Sequence, residues 1–122
     1  MAPKPPANGI KIAALAEVQK KGELKFAFRE DGIPREGFIA LFNGSLVAYE
    51  NRCKHLPVSL DYGDGKFFTP GKDHFICQTH GAVYKPDTGE CVRGPCVGAR
   101  LRKLDIIEAG GMIYLLPPPP PI

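Results

Sequence analysis

Apolar and polar residues alternate along most of the chain in short runs. The stretches "LKFAFRE" (24–30), "FIALF" (38–42), "LVAYE" (46–50), "HFIC" (74–77), "RLRKLDII" (100–107) and "MIYLL" (112–116) are rich in aliphatic, β-branched or aromatic residues. Each is bounded by Gly, Pro, Asn or Asp, and a period of two between such boundaries predicts strands. Asn43-Gly44 and Gly110-Gly111 are two-residue breaks suited to the positive φ angles of hairpin turns, and "PDTGE" (86–90) is a third turn. Strands joined by tight turns predict an antiparallel all-β fold. Only "AALAEVQK" (13–20) has helical composition, and it is too short for more than a turn or two.

Composition narrows this to one domain. The chain has 122 residues, 43% hydrophobic and 24% charged, an ordinary globular balance. The first nine residues, "MAPKPPANG", and residues 117–122, "PPPPPI", read as tails around a single domain over residues 10–116. The polyproline end is either unordered or an extended ligand for an aromatic groove.

The net charge of +3 sits near the start: residues 1–29 hold six Lys or Arg against two Asp or Glu, and the rest holds ten against eleven. With no basic stripe, interleaved aromatics or reading motif, nucleic acid is not an expected partner. No segment approaches the ~18 apolar residues of a membrane span. The run "IKIAALAEV" is broken by Lys11 and Glu17 and lacks the features of a secretory signal, so a cytoplasmic protein without membrane association is expected. In that setting four cysteines favour metal ligation over a disulfide framework.

Two blocks carry the candidate chemistry. "RCKHL" (52–56) supplies Cys53 and His55, and after 21 intervening residues "CQTH" (77–80) supplies Cys77 and His80. Thiolate and neutral imidazole are the side chains that bind soft and borderline metals. A single residue, Lys54, separates Cys53 from His55, which makes it awkward for both to reach one tetrahedral ion. Two neighbouring metals are more natural, Cys53 and Cys77 on one and His55 and His80 on the other. A structural Cys2His2 zinc site, stapling an interaction module, is the competing reading.

Thiolates on one iron and imidazoles on the other are the ligand set of a Rieske 2Fe-2S centre. The motif order CxH, CxxH, "HGAVY", "TGEC" and "GPCVGARL" resembles the Rieske family from about residue 23 to 116. The resemblance implies an antiparallel β-sandwich with a small cluster-binding subdomain formed by two loops. It implies one 2Fe-2S cluster, with Cys53 and Cys77 as sulfur ligands and His55 and His80 as nitrogen ligands whose second ring nitrogen lies near solvent. Respiratory Rieske proteins carry Ser and Tyr at the positions of Ala82 and Tyr84, and an extra cysteine in each ligand loop. Here Tyr84 is present, the Ser is not, and neither loop has the extra cysteine. The resemblance is therefore to soluble, disulfide-free, low-potential Rieske ferredoxins.

Around the ligands, Gly81, Ala82, Tyr84, Pro95 and Leu56 are the expected neighbours. Tyr84 is either a donor to the Cys77 sulfur or a half-buried strand aromatic. Gly94-Pro95 resembles the proline loop that covers the cluster, which puts Cys91 and Cys96 near the site as reduced, buried thiols or as a local disulfide. Leu56, Pro57 and Val58 exclude water, form a docking surface, or do both. His74 reads as an ordinary strand residue.

A Rieske oxygenase needs a second iron site with two histidines, and after His55 and His80 only His74 remains. The expectation is thus a monomeric one-electron carrier, not an enzyme, between a flavin reductase and an oxygenase or similar redox partner. A redox-sensing small subunit of a larger oxidoreductase would need the same ligands.

Overall fold

The computed structural model describes residues 9–53, 58–61, 63–79 and 81–116. The expected tails, at 1–8 and 117–122, lie outside that range, as do His55, Leu56, Pro57 and His80. Among the described residues there are nine strands and one short helix, in three antiparallel three-stranded sheets. The all-β expectation holds.

The first sheet orders β1 (Ile10–Ala14), β9 (Met112–Leu115) and β8 (Ile106–Ala109). The second is a meander of β2 (Glu23–Glu30), β3 (Ile33–Phe42) and β4 (Ser45–Glu50). Asn43, at φ 50°, and Gly44, at φ 78°, close the β3–β4 hairpin as the sequence predicts. A further turn at Asp31-Gly32 lets β3 begin at Ile33 and run through Pro34, extending the expected strand towards its start. These two sheets share a core that includes Ala13, Phe26, Phe28, Ile39, Ala48, Leu104 and Ile113.

The first residues depart from the expectation. Residues 10–14 form a strand because β9 offers a free edge, pairing Ile10 with Leu115 and Ala14 with Met112 around a bulge between Lys11 and Ala13. That pairing takes Ala13 and Ala14 out of the expected helix, so α1 runs Leu15–Lys21. It ends at Gly22, whose φ of 81° gives the left-handed cap and whose N–H donates to the Val18 carbonyl at 2.7 Å.

The expected strand over 100–107 is extended but serves several partners in turn. Leu101 N–H bonds Gly89, Arg102 C=O and Leu104 N–H bond β4 at Glu50 and Ala48, and only from Ile106 does the chain join β9. A segment that crosses between sheets makes bridges rather than a ladder.

The third sheet consists of β5 (Phe75–Ile76), β6 (Val83–Tyr84) and β7 (Cys91–Arg93) and forms a separate lobe. Strand β3 joins lobe and body because it is buried on both faces. Ile39 points to the two-sheet core, while Phe38 and Ala40 point to the lobe with Tyr49, Phe67, Phe75 and Tyr84. Phe38 stacks on Phe67 with centroids 4.1 Å apart and meets Phe75 edge-on at 4.9 Å. Each such aromatic removes enough apolar surface from water to contribute about 1.5–3 kcal/mol. Glu23 on β2 fastens the lobe further, its carboxylate accepting the Phe67 and Phe68 N–H groups.

Candidate metal centre

Three loops of the lobe converge. The first leaves β4 at Glu50 and is anchored by Asn51, a buried residue that sequence reasoning did not single out. Its Oδ1 accepts the Leu60 N–H at 2.8 Å, and its Nδ2 donates to Asp61 Oδ1 at 2.9 Å and to Glu36 Oε1 at 3.3 Å. Between these anchors the Cys53 N–H donates to the Val58 carbonyl at 2.7 Å, which bonds the two residues on either side of "KHLP" to each other.

Asp61 was also missed. Its side chain has no exposed surface, and Oδ2 accepts from Gly63 N–H at 3.1 Å, Gly65 N–H at 3.0 Å and Lys25 Nζ at 3.1 Å. Burial pushes its carboxyl up, but the bonds from Asn51, Gly65 and Lys25 outweigh that and hold it below the usual carboxylate range. The signal available in the sequence was an Asp followed by two closely spaced glycines, the chemistry of a side-chain-closed turn.

The second loop begins where β5 delivers Cys77. Its N–H donates to the Ala82 carbonyl, and Gly81 N–H donates back to the Cys77 carbonyl, both at 2.8 Å. Gly81 takes φ 74°, which permits this return. Gln78 N–H donates to the Leu60 carbonyl at 2.8 Å, so the loops that carry Cys53 and Cys77 are directly bonded to each other.

The third loop follows β7. Gly94, at φ 97°, lies so close to the second loop that a Cβ there would stand 2.8 Å from Ala82 Cα and 3.3 Å from the Gly81 carbonyl oxygen. The expected proline loop packs on the loop that carries Cys77 through Gly94, while Pro95 itself is exposed. Ala82 is fully buried beneath it.

Within this frame Cys53 and Cys77 are buried in one apolar cluster with Tyr84 and Cys91. Tyr84 is fully buried; its hydroxyl lies 3.5 Å from the Cys53 sulfur and 3.2 Å from the Cys96 sulfur. The Tyr84 hydroxyl, expected to donate to the Cys77 sulfur, lies within hydrogen-bonding distance of the Cys53 sulfur. Cys91 is buried, Cys96 is half-buried, and neither is in a disulfide. His74 stands at the turn before β5 with Nδ1 3.2 Å from Asp73 Oδ1. Val58, at the edge of the first loop, is exposed.

Among the described residues no three His, Cys, Asp or Glu side chains converge as a complete metal site. What they do provide fits a cluster with soft sulfur ligands: two buried cysteines on two mutually bonded loops, each adjoining the position of a histidine. No helix among the described residues is long and apolar enough to cross a membrane.

Comparison with known proteins supports the same reading. No curated protein sequence matches. Among solved structures the chain is similar to the ferredoxin of carbazole 1,9a-dioxygenase from Nocardioides aromaticivorans IC177, with 26% identity and a TM-score of 0.70 over 92% of this chain and 100% of that one. It is also similar in fold to a Sphingomonas yanoikuyae B1 ferredoxin, with 19% identity and a TM-score of 0.67 over 91% and 100% of the two chains. A third similar structure is the terminal oxygenase of carbazole 1,9a-dioxygenase from Novosphingobium sp. KA1, with 22% identity and a TM-score of 0.71, matching 94% of this chain but 31% of the oxygenase. The model of the Rieske [2Fe-2S] domain matches residues 9–108, and the chain belongs to that family.

Proposed function

We propose that this chain is a one-electron carrier whose 2Fe-2S cluster is held by Cys53, His55, Cys77 and His80. When bound, the cluster supplies reversible one-electron exchange. The observation that carries the assignment is the Gln78 N–H to Leu60 carbonyl bond, which locks together the loops of two buried cysteines.

The chain's own residues do three things for the cofactor. The apolar cluster around Cys53 and Cys77 excludes water from the sulfur side. The Tyr84 hydroxyl is placed to donate to the Cys53 sulfur. The Cys53 N–H to Val58 carbonyl bond closes the two ends of the segment that carries His55, which supports "CKH" as a ligand loop. Val58, which follows this segment, is exposed and offers an apolar side chain of the kind that suits small, transient electron-transfer contacts.

The partners follow from the relatives. A ferredoxin of a dioxygenase matches over its whole length, which supports a flavin reductase as donor and an oxygenase or similar enzyme as acceptor. We assign no substrate chemistry to this chain, and a monomer in the cytoplasm as its setting, in keeping with cysteines that form no disulfide among the described residues.

The test is electron paramagnetic resonance of the dithionite-reduced protein, with iron, zinc and acid-labile sulfide assayed on the same sample. Two irons and two sulfides per chain, with an average g below that of an all-cysteine cluster, are expected. One zinc, no sulfide and no signal would overturn the proposal.

A further inference from the structure

We propose that Cys91 and Cys96 are a dithiol–disulfide pair whose state controls the hydrogen bond from Tyr84 to the Cys53 sulfur. The two sulfurs are 3.2 Å apart. A disulfide needs about 2.05 Å, so closure asks for a movement of roughly 1 Å. The backbone already holds the pair face to face, because Cys91 N–H donates to Ala99 C=O at 2.8 Å, Gly98 N–H to Cys91 C=O at 3.1 Å and Ala99 N–H to Cys96 C=O at 2.9 Å. Gly94 and Gly98 flank Cys96 within this loop, and the half-buried Cys96 sits between them on the exposed side of the site.

The oxidant is a low-molecular-weight disulfide. The Cys96 sulfur releases its proton and bonds to one sulfur of the oxidant, whose S–S bond breaks and expels a thiolate. The Cys91 sulfur then releases its proton and bonds to Cys96, and a second thiolate leaves with the electron pair of the mixed disulfide. The protons end on the two released thiols, so two cysteines are oxidised and one external disulfide is reduced. Burial, then the hydrogen bond with Cys96, pushes the Cys91 thiol up to about 11, which leaves Cys96 as the sulfur that meets the oxidant first.

The coupling runs through Tyr84. In the dithiol, Cys96 donates its S–H to Cys91 and Cys91 donates to the Arg93 carbonyl, each at 3.2 Å. The Cys96 lone pairs are then acceptors for Tyr84, which has a single phenolic proton and a second sulfur, Cys53, 3.5 Å away. In the disulfide Cys96 is drawn towards Cys91 and its sulfur is a poorer acceptor, so the phenolic proton turns to Cys53. A donor on a ligand sulfur stabilises the reduced, more negative centre. The disulfide form therefore has the higher midpoint potential, a conclusion that rests on Cys53 being a ligand.

The experiment equilibrates the cluster-loaded protein in reduced or oxidised glutathione, then applies alkylation with peptide mass mapping and a midpoint-potential titration. The expected result is loss of alkylation at Cys91 and Cys96 together, with retained iron and a raised potential in the oxidised sample. Tyr84→Phe should form the same disulfide and show no difference between the two states, and Cys96→Ser should show neither bond nor shift. Two alkylatable thiols in the oxidised sample would overturn the pair. A disulfide that leaves the wild-type potential unmoved would overturn the coupling, as would Cys53→Ser protein that keeps the full cluster signal, the latter by removing the ligand assignment while the mass map still reads the bond.

Discussion

The hydroxyl of Tyr84, on strand β6, lies 3.5 Å from the sulfur of Cys53, although the two residues are 31 positions apart and Cys53 belongs to a loop. Strand β6 makes this contact because Tyr84 pairs with Phe75 on one side and Cys91 on the other, so the ring is clamped in the sheet and its tip reaches the first ligand loop.

Tyr84→Phe keeps the ring and deletes that donor. A hydrogen bond contributes on the order of 1 kcal/mol, and for a one-electron couple this corresponds to about 40 mV. With Cys91 and Cys96 oxidised, the state in which the phenolic proton turns to Cys53, the variant should keep its cluster and its fold, and its midpoint potential should fall by roughly that amount. Protein-film voltammetry of the two proteins side by side checks this, and an unchanged potential would show that the hydroxyl gives its proton elsewhere.

Gly94→Ala tests whether the third loop holds the second in place. The new Cβ would meet Ala82 Cα at 2.8 Å, a backbone atom that cannot swing aside, and the residue must also hold φ 97°. Overpacking and the left-handed backbone together should cost about 2–4 kcal/mol. Gly98→Ala is the control, since it bears a similar φ of 95° with nothing within 4 Å of its Cβ. Thermal melts should therefore rank wild type above Gly98→Ala and Gly98→Ala above Gly94→Ala, and cluster loss under a chelator should be fastest in Gly94→Ala.

The sequence made legible whatever depended on local pattern. Alternation and turn residues located β2, β4 and β9, and Cys/His spacing pointed to the two cysteine-bearing loops that the fold brings together. Strand β1 was missed because its pairing with β9 joins residues about a hundred positions apart, and nothing in "IKIAA" itself demands a partner. Strands β6 and β7 were missed because two or three residues are too few to show a period. Asn51 and Asp61 act by filling each other's hydrogen-bonding capacity in the folded loop. As isolated letters, an Asn and an Asp in a glycine-rich stretch signal a turn and no more.

Tyr49 ties the body to the turn that precedes β7. It is fully buried, and its hydroxyl donates to the Pro86 carbonyl at 2.8 Å. Burial, with the nearby Asp87 charge, pushes its pKa up to about 12. Tyr49→Phe leaves the carbonyl without this donor and should lower stability by about 1–2 kcal/mol. A raised folded pKa means the contribution is complete below the unfolded value of about 10 and is lost as pH rises from there through about 12. Denaturant titrations at neutral pH and near pH 11 should show the wild-type advantage over Tyr49→Phe shrinking on the alkaline side.

Asp61 makes the opposite prediction on the acid side. Its carboxylate receives bonds from Asn51, Gly63, Gly65 and Lys25 with no solvent access, and its pKa is held below the ordinary value. A depressed folded pKa gives stability that is complete above the unfolded value of about 3.9 and is lost as pH falls below it through the folded value. Asp61→Asn removes the charge and sets an amide against backbone N–H donors, which should cost about 2–4 kcal/mol at neutral pH. The difference between the two proteins should stay constant from neutrality to about pH 5 and narrow below pH 4, where the wild-type carboxylate takes up its proton. Because Asn51 also holds the stem of the Cys53 loop, the variant should release iron faster at neutral pH in the same samples. Iron retention equal to wild type, despite the lost stability, would mean that the Cys53 loop is held without Asp61.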